Sequence, residues 1–116
     1  MKHIKKRISK TIDEMMLFFF SIGCQNINIQ FDKVENGYRI TLKGPFDPQK
    51  SESIKTLDKY LNAPKDASIL ECFWELAGES DMNTDSELYL VGQMIDSADI
   101  QTQGNYLTVV LNKQFD

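Results

Sequence analysis

One histidine, two cysteines and three prolines in 116 residues close off several chemistries before any pattern is considered. His3 stands alone, and Cys24 and Cys72 form no CxxC pair. Four soft ligands for a structural zinc are therefore missing. So is the activated Cys–His pairing that nucleophilic catalysis needs. Two isolated cysteines read as reduced, buried thiols rather than a disulfide framework. There is no repeat, no low-complexity tract and no long linker. The longest apolar run, Met15–Phe20, is too short to span a bilayer. What is present is ordinary for a globular domain, with 41% hydrophobic and 26% charged residues. The length suits one domain, residues 1–116, with a single modest core.

Charge is unevenly placed. Of 13 basic residues, Lys2, Lys5, Lys6, Arg7 and Lys10 lie in the first ten positions, which hold no acid. All 17 acids fall in the remainder, which carries a net charge of −9. A basic cluster invites a nucleic-acid or membrane-surface hypothesis. It has no interleaved aromatics, however, and the acidic remainder repels phosphate. The expectation is a solvated or partner-facing helix start, with no nucleic acid and no membrane as partner.

The same basic start precedes "MMLFFFSIGC", which invites a secretion signal ending in a lipid-modified cysteine. Asp13 and Glu14 stand directly before the apolar run, and Ser21 occupies the place of the aliphatic residue three before the cysteine. Ile4, Ile8, Ile12, Met15, Phe19 and Ile22 recur at steps of four and three, so the apolar stripe starts well before any signal core. One amphipathic helix accounts for this, with Gly23 ending it. A cytoplasmic domain is expected.

Beyond that helix, "NINIQFDK" and "YRITLK" alternate as half-buried strands around Asn36-Gly37, a hairpin signal. "GPFDPQKS" is a loop, after which Ser51 or Ser53 caps a helix carrying Ile54, Leu57 and Leu61. A third helix is expected at Ala67–Ala77 and a fourth at about Glu87–Ala98. "DIQTQ", a Gly104-Asn105 turn and "YLTVVLNK" form a closing hairpin. The order αββαααββ predicts an α+β fold, a two-layer sandwich. Its four-stranded sheet comes from two hairpins, with helices on one face. The first helix, apolar nearly all round at Met15–Phe20, is expected in the middle of the helix layer.

"IDEMMLFFFSIGCQNINIQFDKVENGYRITLKG" and "SELYLVGQMIDSADIQTQGNYLTVVL" resemble the opening and close of the histidine-kinase-type (GHKL) ATPase fold. The chain is similar to anti-sigma-factor serine kinase domains of that fold. In that family a helix reads E-x-x-x-N and ends in glycine, and the strands lead to D-x-G-x-G. The resemblance puts the helix glutamate at Glu14 and the magnesium-coordinating asparagine at Phe18. It puts the adenine-binding aspartate near Leu42, with Gly44 beyond it. The phosphate-loop glycines fall near Asp85–Glu87. Phenylalanine offers magnesium no oxygen, leucine cannot bond an adenine amino group, and acids repel phosphate. The resemblance thus implies a degenerate member with no cofactor, no catalytic residue and no use for ATP.

Other chemistry is thin. Asp81, Asn83, Asp85 and Glu87 alternate like half an EF-hand loop, but Ser86 and Gly92 stand where glycine and a bidentate glutamate belong. Asp81, Asn83 and Asp85 remain weak metal candidates in a solvated loop. Glu71 and Glu75 lie one turn apart on an expected helix face, and Trp74 is expected to seal that helix onto the sheet. The expected function is a non-enzymatic regulatory or protein-interaction domain. Its partner would be another protein or a second copy. The alternative is a small-molecule binder or enzyme with a pocket the sequence does not display, an option that weakens if Phe18 fills the old nucleotide space.

Overall fold

The computed structural model describes residues 4–69 and 84–115, less the side chains of 84–86. Helix α1 (Ile4–Ser21) leads to β1 (Asn28–Val34) and β2 (Gly37–Pro45). A short turn of 3₁₀ helix (Pro48–Lys50) then runs into α2 (Ser51–Leu61). After α3 (Thr84–Met94), strands β3 (Ser97–Gln103) and β4 (Tyr106–Gln114) close the chain. The four strands form one antiparallel sheet in the order β1-β2-β4-β3, so the two hairpins join through β2 and β4. This is the expected α+β sandwich. No described helix is long and apolar enough to cross a membrane.

Strands β2 and β4 alternate as the sequence predicts, whereas β1, expected half-buried, is exposed from Asn28 through Phe31 because no described strand or helix covers its outer side. Tyr38, Ile40 and Leu42 of β2 and Leu107, Val109 and Leu111 of β4 are buried beneath the helices. Gln30, Arg39, Lys43, Gln101, Gln103 and Gln114 turn to the opposite, open face. Met15 and Phe19 of α1 and Ile22 just past it, Leu57 and Leu61 of α2, and Val91 and Met94 of α3 complete the core. Gly23, at φ +80, ends the chain's exit from α1, where a side chain would be strained. Cys24 follows as a buried free thiol.

Several sequence expectations are corrected. Among the described helices α3, not α1, lies between its neighbours, touching α1 on one side and α2 on the other. Leu90 through Met94 are buried all round α3, and at Gly92 a Cβ would overlap the Tyr60 carbonyl oxygen of α2. In α1, by contrast, Leu17 and Phe20 are more than half exposed, at 52% and 56%. Helix α3 ends at Met94 rather than Ala98, because Asp96 N–H already donates to the Asn112 carbonyl and joins the sheet. Asp47, not Ser51 or Ser53, is the capping side chain before α2. It accepts from Gln49 N–H at 2.9 Å, with Pro48 supplying the preset φ of a first turn. The first hairpin turns on Glu35-Asn36, with Asn36 at φ 62, and Gly37 is already a strand residue. Gly37 is needed there because a Cβ would overlap the Lys113 carbonyl oxygen of β4. The expected third helix begins at residues 67–69. The rest of it, with Cys72, Trp74 and the Glu71–Glu75 pair, lies outside the described residues.

The two sheet edges are finished differently. Backbone polarity alternates along a strand, so a residue not bonded to its neighbour strand presents N–H and C=O outward. On β3 those groups of Ala98 are taken by one side chain. Asn62, just past α2, donates to the Ala98 carbonyl at 3.0 Å and accepts from its N–H at 3.1 Å. Asn62→Ala is expected to cost about 1 kcal/mol, the net worth of hydrogen bonds whose strand groups can return to water. Urea unfolding measures it, and no change would mean that water already serves Ala98 equally well.

Candidate functional site

Glu14 and Phe18 lie one turn apart on α1, yet they serve different neighbours. Phe18 is buried in the core, edge-on to Phe19 with ring centroids 6.2 Å apart. Leu42 is fully buried on β2, and Gly44 is buried two residues on. A Cβ at Gly44 would overlap Cys24 Sγ and lie 2.7 Å from the Asn26 carbonyl oxygen. Chain from the α1–β1 connection thus rests directly on β2. Phe18, Leu42 and Gly44 are packing residues, and none of them lines the clefts described below.

Glu14 instead turns toward α3. Lys10 Nζ stands 3.6 Å from Glu14 Oε2 and 2.5 Å from Glu87 Oε2, so two carboxyl groups share one ammonium. Burial raises the pKa of Glu14; Lys10 opposes that shift and the Glu87 charge adds to it. For Lys10, burial works against the charge. The hydrogen bond to Glu87 and the attraction of both carboxylates outweigh it, so its pKa is raised. This cluster is an electrostatic joint between α1 and α3. The i, i+4 spacing of Lys10 and Glu14 was visible in the sequence. Glu87 as the third member was not, because only the tertiary fold brings α3 alongside.

No group of three or more His, Cys, Asp or Glu side chains suited to a metal occurs among the described residues. Asp81 and Asn83 lie outside those residues. Asp85 falls in the first turn of α3, with its side chain also outside the description.

Sequence reasoning missed a cleft of about 380 Å³ between α1 and the β1 side of the sheet. Ile4 and Ile8 form one wall, Phe31 and Lys33 the other, and Tyr38 and Phe115 the floor. Phe31 stacks on Tyr38 at 5.7 Å between centroids, and Tyr38 meets Phe115 at 6.1 Å. The Tyr38 hydroxyl is buried, with no hydrogen-bond partner among the described residues. Burial pushes its pKa up to about 12; nearby Arg7 offsets part of this and Asp96 adds to it. A phenol so shifted stays neutral at physiological pH. A second cleft of about 380 Å³, lined by Asn28, Gln30, Thr41, Lys43 and Tyr106 among others, lies on the polar open face.

Beside the apolar cleft runs the uncovered edge of the sheet. The register pairs Ile29 with Leu42 and Phe31 with Ile40, so both side chains share the helix-covered face. They overhang it nonetheless, 37% and 44% exposed. Ile29, Phe31 and Lys33 are also the residues whose backbone groups point away from β2, since the two-residue turn makes Val34 and Gly37 a bonded pair. No side chain plays the part of Asn62 at this edge among the described residues. No family model, curated protein or solved structure matches the chain.

Proposed function

We propose that the chain is a non-enzymatic regulatory or protein-interaction domain, built like a histidine-kinase-type ATPase domain whose nucleotide-binding groups have been replaced. One observation carries the reading. Apolar side chains and unpaired backbone groups coincide at the β1 edge, while Phe18, Leu42 and Gly44, three of the positions assigned to nucleotide binding by resemblance, are spent on packing. Exposed Phe31 and Ile29 on an open strand edge are the features of a surface that gains stability when covered by protein. The resemblance itself is fold-level analogy, and the functional argument rests on the edge.

Nucleotide tests the reading directly. Thermal unfolding of the full chain with millimolar ATP, ADP and magnesium is expected to show no shift. A ligand at a hundred times its dissociation constant adds about 2.7 kcal/mol, which the midpoint would report as a rise of several degrees. Such a rise would overturn the reading in favour of a working nucleotide site.

A further inference from the structure

We propose that the β1 edge, with the flank of α1 above it, is the two-fold interface of a homodimer. In this dimer β1 pairs antiparallel with its counterpart about Phe31, and one sheet runs through both copies. The inference rests on the interaction-domain reading and names the occupant of its edge.

The strand is complementary to itself. A two-fold axis perpendicular to the sheet keeps both helix layers on one face and pairs Phe31 with Phe31 of the other copy. Ile29 then faces Lys33, and both are residues whose backbone groups point outward. On the open face Gln30 meets Asp32, an amide–carboxylate pair already bonded at 3.0 Å within one strand. No like charges stand opposite each other in this register, which antiparallel pairing requires. The β3 edge cannot serve in the same way, because Asn62 occupies the Ala98 rung.

Helix α1 supplies the second argument. Ile4, Ile8, Ile12, Met16 and Phe20 follow at steps of four, forming one ridge along the helix. The ridge lines the cleft at Ile4 and Ile8 and ends at exposed Phe20. Its opposite flank is held to α3 through Lys10 and Glu87. The charges of α1 also oppose its own dipole, with no acid in its first turn and no base in its last. Exposed Lys5 and Lys6 therefore sit at the end that disfavours cations. The two-fold runs the second α1 antiparallel to the first. Each basic start then lies toward the other helix's carboxyl end, the end that attracts cations. A second copy thus answers the strand pattern and the helix charge together.

Light scattering coupled to size exclusion, across a concentration series of the full chain, provides the test. The wild type is expected at about twice the 13.4 kDa of one chain. Phe31→Lys and Phe31→Glu are each expected to be monomeric, weakened at least tenfold in association, and to recover the dimer mass when mixed in equal amounts. Ile29→Glu, which sets an acid against Lys33, should retain the dimer, whereas Ile29→Lys should lose it. Circular dichroism melts establish that each variant is folded, and the opposite signs at position 29 do not depend on that position tolerating any one charge. A monomeric wild type, a dimer unaffected by the Phe31 substitutions, or a mixture that does not reassociate overturns the proposal. Those failures leave the interaction-domain reading standing with another occupant, whereas a nucleotide-induced melting shift removes that reading and is measured separately from the dimer mass.

Discussion

Gly44→Ala is expected to lower the thermal unfolding midpoint by on the order of 10 °C, corresponding to about 3 kcal/mol. The added methyl group has nowhere to go. It overlaps the buried Cys24 thiol on one side and lies 2.7 Å from a backbone carbonyl oxygen, that of Asn26, on the other. A side chain can yield by rotation, but the carbonyl belongs to the connection leading into β1, and moving it disturbs the edge strand. Cys24→Ala in the same chain should therefore recover part of the loss and not all of it, a coupling that a double-mutant cycle measures directly. Gly104→Ala is the control for backbone effects. Its Cβ meets nothing within 4 Å, yet φ is +59, so the cost there is conformational, about 1 kcal/mol. If Gly44→Ala is no worse than Gly104→Ala, the seal between Cys24 and β2 is looser than described.

Gly44 also shows where the sequence was legible and where it was not. Local pattern sufficed for the hairpins. Ile40 and Leu42 alternate with polar residues on β2, and Gly104-Asn105 makes the turn between β3 and β4 as expected. The helical repeat of α1 likewise marked a helix that sends Met15, Phe18 and Phe19 into the core. A glycine, however, says only that a side chain is unwelcome, not whether a ligand or the chain itself comes close. At Gly44 it is the chain, through Cys24 and Asn26. The order of the helix layer was hidden for a similar reason. A run such as "MMLFFF" looks buried on every side, but Leu17 and Phe20 remain exposed, while among the described helices α3 reaches the centre because Gly92 lets it close on α2. Edge protection by Asn62 joins residues 36 positions apart, beyond the reach of any periodicity. The cleft over Tyr38 draws on α1, both strands of the first hairpin and Phe115, so it exists only once the sheet is assembled.

Lys10→Met is expected to cost about 2 kcal/mol at pH 8 and little at pH 4.5. Removing one partner of a buried ion pair costs more than that in a fully dry interior, and partial exposure of Lys10 reduces the figure. The pH dependence follows from the sign of the Glu14 shift. Its pKa is raised in the folded chain, so folding favours the protonated carboxyl. The cost of ionising it is absent in acid and is felt once pH exceeds the ordinary glutamate value. Lys10 contributes in the opposite sense. Its own pKa is raised, so its stabilisation is present at every pH below the ordinary lysine value and is lost only as pH rises through the folded one. Without Lys10, Glu14 and Glu87 confront each other unscreened at pH 8, and because the Glu14 pKa is raised, protonation toward acid pH relieves the repulsion. Lys10→Met/Glu14→Gln should then recover most of the loss at pH 8, since one charge of the pair is gone. Urea unfolding of the three chains at both pH values separates this from a packing effect. A Lys10→Met loss of equal size at both pH values would mean that the aliphatic stem of Lys10, and not its charge, joins α1 to α3.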